Sequence, residues 1–390
     1  MNIVFVYTSP FPAKRGFSAA DRRVRDIVRG LKNAGANVTL VIPHYHLKAS
    51  VDTHKEDFTI KYLGKSSLNK SKLINRFFYW KDLLNYVKKN KTEAIILYNT
   101  QADSVFFNWI LKNKNIKIIT EVCDLHSHSE KFTIKSSISK WTEKHLPSSS
   151  DLVITISDYL KSILLKNNPN QKVLKIPILV DSDYFHDKTD VNKNIPLLEK
   201  IKGSFLISYV GGLWTHQGVK FLMQAFKKII DEGLNAKLLI AGNYDDITPN
   251  KDDVYVISKE LGIEEHIILP GWVDTKTVKN ILYASDLLVI SQTNDLFAQA
   301  GLPTKLAEYA ACAKPILITK VGDVQEYFQD KKNCILCEPS DVESMYQGIL
   351  FAIRNPEMTK EISKQAYETC HELFDYNSNG EIIYNTIKNL

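Results

Sequence analysis

The stretch AGLPTKLAEYAACAKPI, residues 300–316, decides how this chain is read. It lies between two short apolar runs, Asp286-Leu-Leu-Val-Ile-Ser291 and Pro315-Ile-Leu-Ile-Thr319, each patterned as a buried strand. A helix is predicted between them, starting at Pro303, whose missing N–H suits a first helical turn. Gly301 permits a tight turn out of the strand. The helix mouth gathers unpaired N–H groups and the positive end of the dipole, which together favour an anion. Lys305 adds a full charge in the first turn. Glu308 falls one turn deeper on roughly the same face, ~4.5 Å further along the axis. That separation suits a phosphate at the mouth and vicinal hydroxyls beside it, because a carboxylate repels phosphate but accepts two hydrogen bonds from a ribose. The plainer alternative is a surface Lys–Glu pair on an ordinary helix, worth little to stability.

The same alternation runs outward in both directions. Strands are predicted at 2–7, 37–42, 94–98, 116–120 and 151–156, and again at 205–210, 236–241, 266–269, 286–290, 315–319 and 333–337. Near-continuous apolar strands separated by helices imply parallel sheets covered on both faces. A length of 390 residues fits two such domains. The polar stretch from Asp181 to Gly203 marks the boundary, and the last helical stretch is long enough to return to the first domain. In open parallel sheets ligands sit beyond the carboxyl ends of the strands, so the loops there matter most.

Several function classes are excluded. No run of about 18 apolar residues exists to span a membrane, and MNIVFVYTSPFPAKRG reads as a first strand and not as a signal peptide. The five cysteines (Cys123, Cys312, Cys334, Cys337, Cys370) are odd in number and scattered, which suits reduced cytosolic thiols. Cys334 and Cys337 point to opposite faces of a short strand and have no second pair to complete a zinc site. The net charge of +6 is concentrated in residues 61–92, which hold nine basic residues and one acid. No nucleic-acid module accompanies it. Its aromatic and basic residues, Lys70, Lys72, Arg76, Phe77, Phe78 and Trp80, are predicted to dock on an anionic membrane surface.

Two further loops are candidates. After the first strand, Lys14, Arg15 and Gly16 sit in a strand-to-helix turn that lacks a dinucleotide fingerprint and a P-loop yet offers cations and backbone N–H groups to an anion. After the strand at 205–210 come Gly211 and Gly212, which allow a ligand close to the backbone, and then Trp-Thr-His-Gln217-Gly218 before an amphipathic helix.

These segments resemble the retaining GT-B glycosyltransferases of family 4, of the bacterial surface-polysaccharide type. GLPTKLAEYAACAKPILIT resembles the donor-site segment, SDLVITISDYL (150–160) the last strand of the N-terminal domain, and IPILVDSDYF (176–185) the crossing. YVGGLWTHQGVKFLMQAF (209–226) resembles the first strand and helix of the nucleotide domain, and ILPGWVDTKTVKNILYASDLLVI (268–290) the segment that holds the base. The resemblance implies two Rossmann-like doubly wound domains facing one cleft: an acceptor domain at 1–185, a linker at 186–203, a nucleotide-sugar domain at 204–360 and a returning C-terminal helix at 361–390. It implies donor contacts from Gly211, Gly212, Gln217, Trp272, Val273, Gly301, Leu302, Pro303, Thr304, Lys305 and Glu308, and an acceptor-side loop at Lys14, Arg15 and Gly16.

The departures are specific. The family usually has two glutamates eight positions apart, and the first position here is Ala300. Its usual diphosphate-clamping Arg and Lys fall on Gly212 and Gln217, which leaves Lys305 as the replacement cation. The histidine expected after the strand at 116–120 falls on Cys123, with Asp124, His126 and His128 nearby. The resemblance therefore implies transfer of a sugar, from a UDP-sugar by preference, to a hydroxyl of a glycan or polyprenyl-linked acceptor, with Lys305, Asp124 and His126 as catalytic candidates and no metal or cofactor. Asp181-Ser-Asp183 imitates a metal motif but lies in the crossing. The expected location is cytoplasmic, peripheral on the inner face of the membrane. The alternatives are a catalytically impaired sugar-nucleotide-binding or scaffold subunit, which Ala300, Gly212 and Gln217 favour, and a sugar-nucleotide epimerase of the same build.

Overall fold

A computed structural model describes residues 1–12, 18–44, 56–64, 72–99, 102–112, 115–124, 134–192, 195–199, 201, 203–242 and 253–390. Along the chain run β1 (Asn2–Val6), α1 (Ala19–Asn33), β2 (Asn37–Pro43), β3 (Thr59–Leu63), α2 (Lys72–Lys89), β4 (Ala94–Tyr98), α3 (Ala102–Leu111), β5 (Lys117–Val122), α4 (Ile134–Ser148), β6 (Leu152–Thr155), α5 (Asp158–Asn167) and β7 (Val173–Lys175). There follow α6 (Ser182–His186), α7 (Pro196–Glu199), β8 (Phe205–Val210), α8 (Val219–Asp231), β9 (Ala236–Ala241), α9 (Val254–Glu260), β10 (Ile267–Gly271), α10 (Thr275–Ala284), β11 (Leu287–Ile290) and α11 (Leu296–Ala300). The chain ends with α12 (Thr304–Ala311), β12 (Ile316–Thr319), α13 (Val324–Tyr327), β13 (Ile335–Cys337), α14 (Val342–Arg354), α15 (Pro356–Leu373) and α16 (Tyr376–Lys388).

The elements form two compact units, Met1–Leu179 with Asp375–Leu390, and Val180–Phe374. The first holds a seven-stranded parallel sheet in the order β3-β2-β1-β4-β5-β6-β7. Its central strands are apolar throughout because helices cover both faces, as in AIILY of β4, where every residue is buried. Helix α1 starts at a reciprocal cap: Ser18 accepts from the Asp21 N–H at 3.1 Å, and the Asp21 carboxylate accepts from the Ser18 N–H at 2.9 Å. Helix α16 lies against α1 at glycine contact distance. A Cβ on Gly30 would fall 2.3 Å from the Tyr376 carbonyl oxygen. Asn33 donates to Asn377 at 2.7 Å, and the Arg29 guanidinium lies 4.5 Å from the Tyr376 ring centroid.

The second unit holds a six-stranded parallel sheet in the order β10-β9-β8-β11-β12-β13. In each sheet the strand order reverses beside the first strand of its unit, between β1 and β4 and between β8 and β11. Such reversals open a crevice at the carboxyl ends of the strands. The core on one side of the second sheet is built on Phe226, Leu222, Ile229, Leu238, Val289 and Ile349.

The unit boundaries fall at Val180 and Asp375, so residues 186–203, expected as a linker, belong to the second unit. The physical reason is packing on α10: Lys279 donates to the Tyr184 carbonyl at 2.7 Å, Tyr283 to the Phe185 carbonyl at 2.6 Å, and the Asn192 N–H to the Asn280 side chain at 2.9 Å. Helix α15 stays with the second unit, and only α16, from residue 376, returns to the first. Strands β3 and β7 were not among those predicted. Both are sheet edges, and β3 (TIKYL) has no fully buried residue.

Candidate functional site

The segment 300–316 folds as a turn and a helix between β11 and β12, with one difference in phase. Pro303 is the N-cap and Thr304 the first helical residue, and no side chain caps the turn. The helix is held under the sheet by Tyr309, whose hydroxyl lies 3.0 Å from the Val210 N–H and 3.3 Å from the Val210 carbonyl. Leu306, Ala307, Glu308 and Tyr309 are buried. Lys305 therefore points back toward the end of β8.

There it meets two partners. Its ammonium donates to Gln217 Oε1 at 2.8 Å and to the Tyr209 hydroxyl at 2.9 Å, and stands 4.1 Å from the centroid of the Tyr209 ring. The Tyr209 hydroxyl in turn donates to the Gly212 carbonyl at 2.6 Å. An ammonium has three donors, so one remains for a ligand. Gly211, at φ +153°, makes room for this arrangement, since a Cβ there would lie 2.9 Å from Lys305 Nζ. Gly218 closes the loop at φ +65°, with its Cα face against the Ser291 carbonyl. Ser291 donates to the Gln217 carbonyl at 2.8 Å and the Thr293 N–H to the His216 carbonyl at 2.9 Å. The loops after β8 and β11 are thus tied together at the point where the strand order reverses.

Burial among these groups pushes the Lys305 ammonium down from its usual 10.5 to about 7, with Glu308 opposing the shift. Burial likewise lowers His216, with Lys305 adding to the effect and Asp295 opposing it. The His216 ring stacks on Phe297 at 5.7 Å. Burial raises Tyr209 well above its ordinary range, so it serves as a neutral hydrogen-bonding post. The site sets a lysine at a helix mouth, with a buried carboxylate one turn below.

The other predicted donor residues are placed as follows. Gly301 and Leu302 lead into the helix, with Leu302 buried. Gly242 donates its N–H to the Gly271 carbonyl at 2.9 Å and packs on the Gly211 carbonyl, joining the ends of β8, β9 and β10. Trp272 and Val273 follow directly; Trp272 is exposed and Val273 packs into a core cluster with Ile281 and Leu239. Ala300 ends α11 and is buried. Lys14, Arg15, Gly16, Lys70, His126 and His128 lie outside the described residues.

In the first unit, Asp124 follows β5 and is exposed. Cys123 is buried, its thiol pushed up by burial and by Glu121. Glu121 pairs with Arg23 at 2.5 Å, and Arg23 also donates to the Pro177 and Ile176 carbonyls at 2.6 and 3.1 Å. This ion pair and the Tyr209 post were not predicted. A tyrosine inside FLISYV carries the only sequence signal for Tyr209, and it reads equally well as strand packing. Of the aromatic residues proposed for a membrane patch, Phe77 is exposed, whereas Phe78 and Trp80 are half-buried, Trp80 against Phe107 at 4.5 Å. Their helix turns that face inward.

Comparison with known proteins shows what the chain is similar to. Residues 190–369 match the family described as Glycosyl transferases group 1. An uncharacterized glycosyltransferase of Methanocaldococcus jannaschii is 25% identical over 244 residues, 60% of this chain and 59% of that protein. The lipopolysaccharide 1,2-N-acetylglucosaminetransferase of Salmonella typhimurium is 22% identical over 378 residues, 91% of this chain and 90% of that protein. The matches to the first four curated relatives span 59%, 65%, 51% and 55% of their lengths. Among solved structures, Anabaena HepE in complex with UDP and glucose superposes with a TM-score of 0.76 over 100% of both chains at 15% identity. Two parallel sheets of these orders, with that superposition, make the fold GT-B. Over residues 190–369 the chain is thus similar to the glycosyl transferases group 1 family, on a GT-B fold.

Proposed function

We propose that this protein is a retaining glycosyltransferase that moves a sugar from a nucleotide diphosphate, UDP-sugars by preference, to a hydroxyl of a glycan or polyprenyl-linked acceptor in cell-surface polysaccharide synthesis, at the inner face of the membrane. The observation that carries the reading is Lys305, held at the mouth of α12 by Gln217 and Tyr209 with one donor to spare. The family match, the similar fold of a protein solved with UDP and glucose, and the lipopolysaccharide relative support it.

In this proposal the anomeric C–O bond to the diphosphate breaks as the acceptor oxygen bonds the same carbon on the same face. The acceptor proton passes to the leaving phosphate. Negative charge grows on that phosphate, where Lys305 and the N–H groups of the first helical turn stabilise it. Glu308 holds the ribose. A metal has no required part, because Lys305 supplies the positive charge.

A second reading, a sugar-nucleotide-binding subunit without turnover, is favoured by Ala300, which puts a buried methyl where the family usually has a carboxylate. A panel of nucleotide sugars, screened for thermal stabilisation and then for release of nucleoside diphosphate, tests both. Stabilisation with slow release of UDP supports transfer. Stabilisation without turnover under any acceptor supports the subunit.

A further inference from the structure

Outside the donor site, the described surface carries one apolar face that spans two helices of the first unit. On α3, Phe106, Trp109 and Ile110 are 63%, 73% and 41% exposed. Their spacing is that of one helical stripe, and it points outward, while the opposite side, Phe107 and Leu111, is in the core. On α4, Ile138 and Trp141 are exposed one turn apart. The two stripes join: the Phe106 and Trp141 rings are 6.2 Å apart, and Asn108 of α3 donates to Ser149, just past α4, at 3.0 Å. A contiguous outward face of large side chains on a folded unit marks an interaction surface.

Charge complementarity selects the occupant. Lys140 and Lys144 are exposed on the same α4, and Lys112 follows α3, exposed. On the neighbouring α2, which meets α3 through Trp80 and Phe107, Lys81, Lys88 and Lys89 are exposed. Glu143 is the acid on α4. A second copy of this chain would bring like charges together. An anionic lipid surface receives both the aromatic stripe at headgroup depth and the lysines at its charged plane.

We propose that the α3–α4 face, centred on Trp109, is the surface by which this protein binds anionic membranes, with the lysines of α2 and α4 as its electrostatic rim. This moves the contact from residues 61–92, where Phe78 and Trp80 turn inward and Ile74 and Phe77 are the exposed apolar groups of α2. The proposal rests on the location proposed above, the inner face of a membrane, and is measured without any sugar donor. Its failure removes this face as the contact and leaves the sugar-transfer reading standing.

The test is sedimentation of the full chain with vesicles of phosphatidylglycerol and phosphatidylcholine, against phosphatidylcholine alone. The parent is expected to bind the acidic vesicles and to be released by salt. The double variant Phe106→Ser/Trp109→Ser is expected to bind about tenfold more weakly or worse, for loss of two inserted aromatic groups. Phe77→Ser is expected to change binding far less. Absence of parent binding at low salt overturns the proposal, as does a double variant that binds like the parent. So does a parent that is dimeric in solution and becomes monomeric in the double variant, since the face then belongs to a second copy. Should the double variant lose its fold, quenching of tryptophan fluorescence by brominated lipid decides. Trp109→Phe must remove part of the quenching seen in the parent; equal quenching overturns the proposal.

Discussion

Lys305 and Gln217, 88 positions apart, meet at 2.8 Å, and their bond joins the first turn of α12 to the loop after β8. That bond fixes the direction of the ammonium. If it faces the leaving phosphate, its interaction strengthens as charge develops, so it matters more to the transition state than to the ground state. Lys305→Ala is expected to lower kcat by on the order of 10²–10³ while donor affinity changes less. Lys305→Arg is expected to rescue partly, because a planar fork cannot reproduce both the Gln217 and Tyr209 contacts. Steady-state kinetics on folded variants check both; parent rates in Lys305→Ala would remove this lysine from the reaction.

Glu308 is buried one turn below that lysine. If it accepts from a ribose, Glu308→Ala is expected to cost about 1.5–3 kcal/mol of nucleotide affinity, the range for a hydrogen bond to a charged group. Calorimetry with UDP reads this directly. Unchanged affinity would place the ribose elsewhere.

The depressed lysine gives a pH signature. With Lys305 at about 7 in the unliganded protein and an ordinary value of 10.5, the free site is largely neutral between those limits. A diphosphate favours the charged form. Binding is therefore expected to take up a proton above pH 7, and affinity for UDP to fall as pH rises from 7 to 9, by at most about tenfold per unit for one proton. For folding the sign is fixed too. The unfolded chain holds the proton up to 10.5 while the folded chain has released it above about 7. This group's contribution therefore makes the unliganded protein more stable as pH rises through that window. Titration in buffers of different ionisation enthalpy checks the uptake, and Lys305→Met should flatten it.

Gly218 and Gly233 separate strain from collision. Both have positive φ, +65° and +76°, but a Cβ on Gly218 would fall 1.9 Å from the Ser291 carbonyl, whereas one on Gly233 meets nothing within 4 Å. Gly233→Ala is expected to cost roughly 1–2 kcal/mol, the left-handed penalty alone. Gly218→Ala adds the displacement of a sheet-end backbone and should exceed ~2 kcal/mol. It should also weaken donor binding, since the collision lies beside Gln217. Chemical denaturation of the two variants side by side makes the comparison.

The central strands of both sheets were legible because burial on both faces leaves an unbroken apolar run, as in AIILY and DLLVI. The edges were not: β3 alternates polar and apolar residues, and β7 is three residues long. Within the site, the lysine and carboxylate were legible because both lie on one helix, where spacing sets the face. Tyr209 and the tie from Ser291 to Gln217 were not, since they depend on which loops the sheet order brings together. The aromatic run Phe77–Trp80 advertised a surface by composition. Helical phase buried Tyr79 and half-buried Phe78 and Trp80, and only the packed helices reveal that α3 and α4 carry the outward stripe.

The second unit begins at Val180 and ends at Phe374, and these two residues are bonded, the Val180 N–H donating to the Phe374 carbonyl at 3.0 Å. A stretch of 195 residues thus leaves and re-enters the first unit through neighbouring points, as a guest sequence inside a host. Such a guest has its own ends already spliced by the fold, which is the geometry that tolerates excision and circular permutation. Residues 180–374 expressed alone should unfold as one cooperative species in chemical denaturation, and the host, with a short glycine linker from Leu179 to Asp375, should keep its α1–α16 contact.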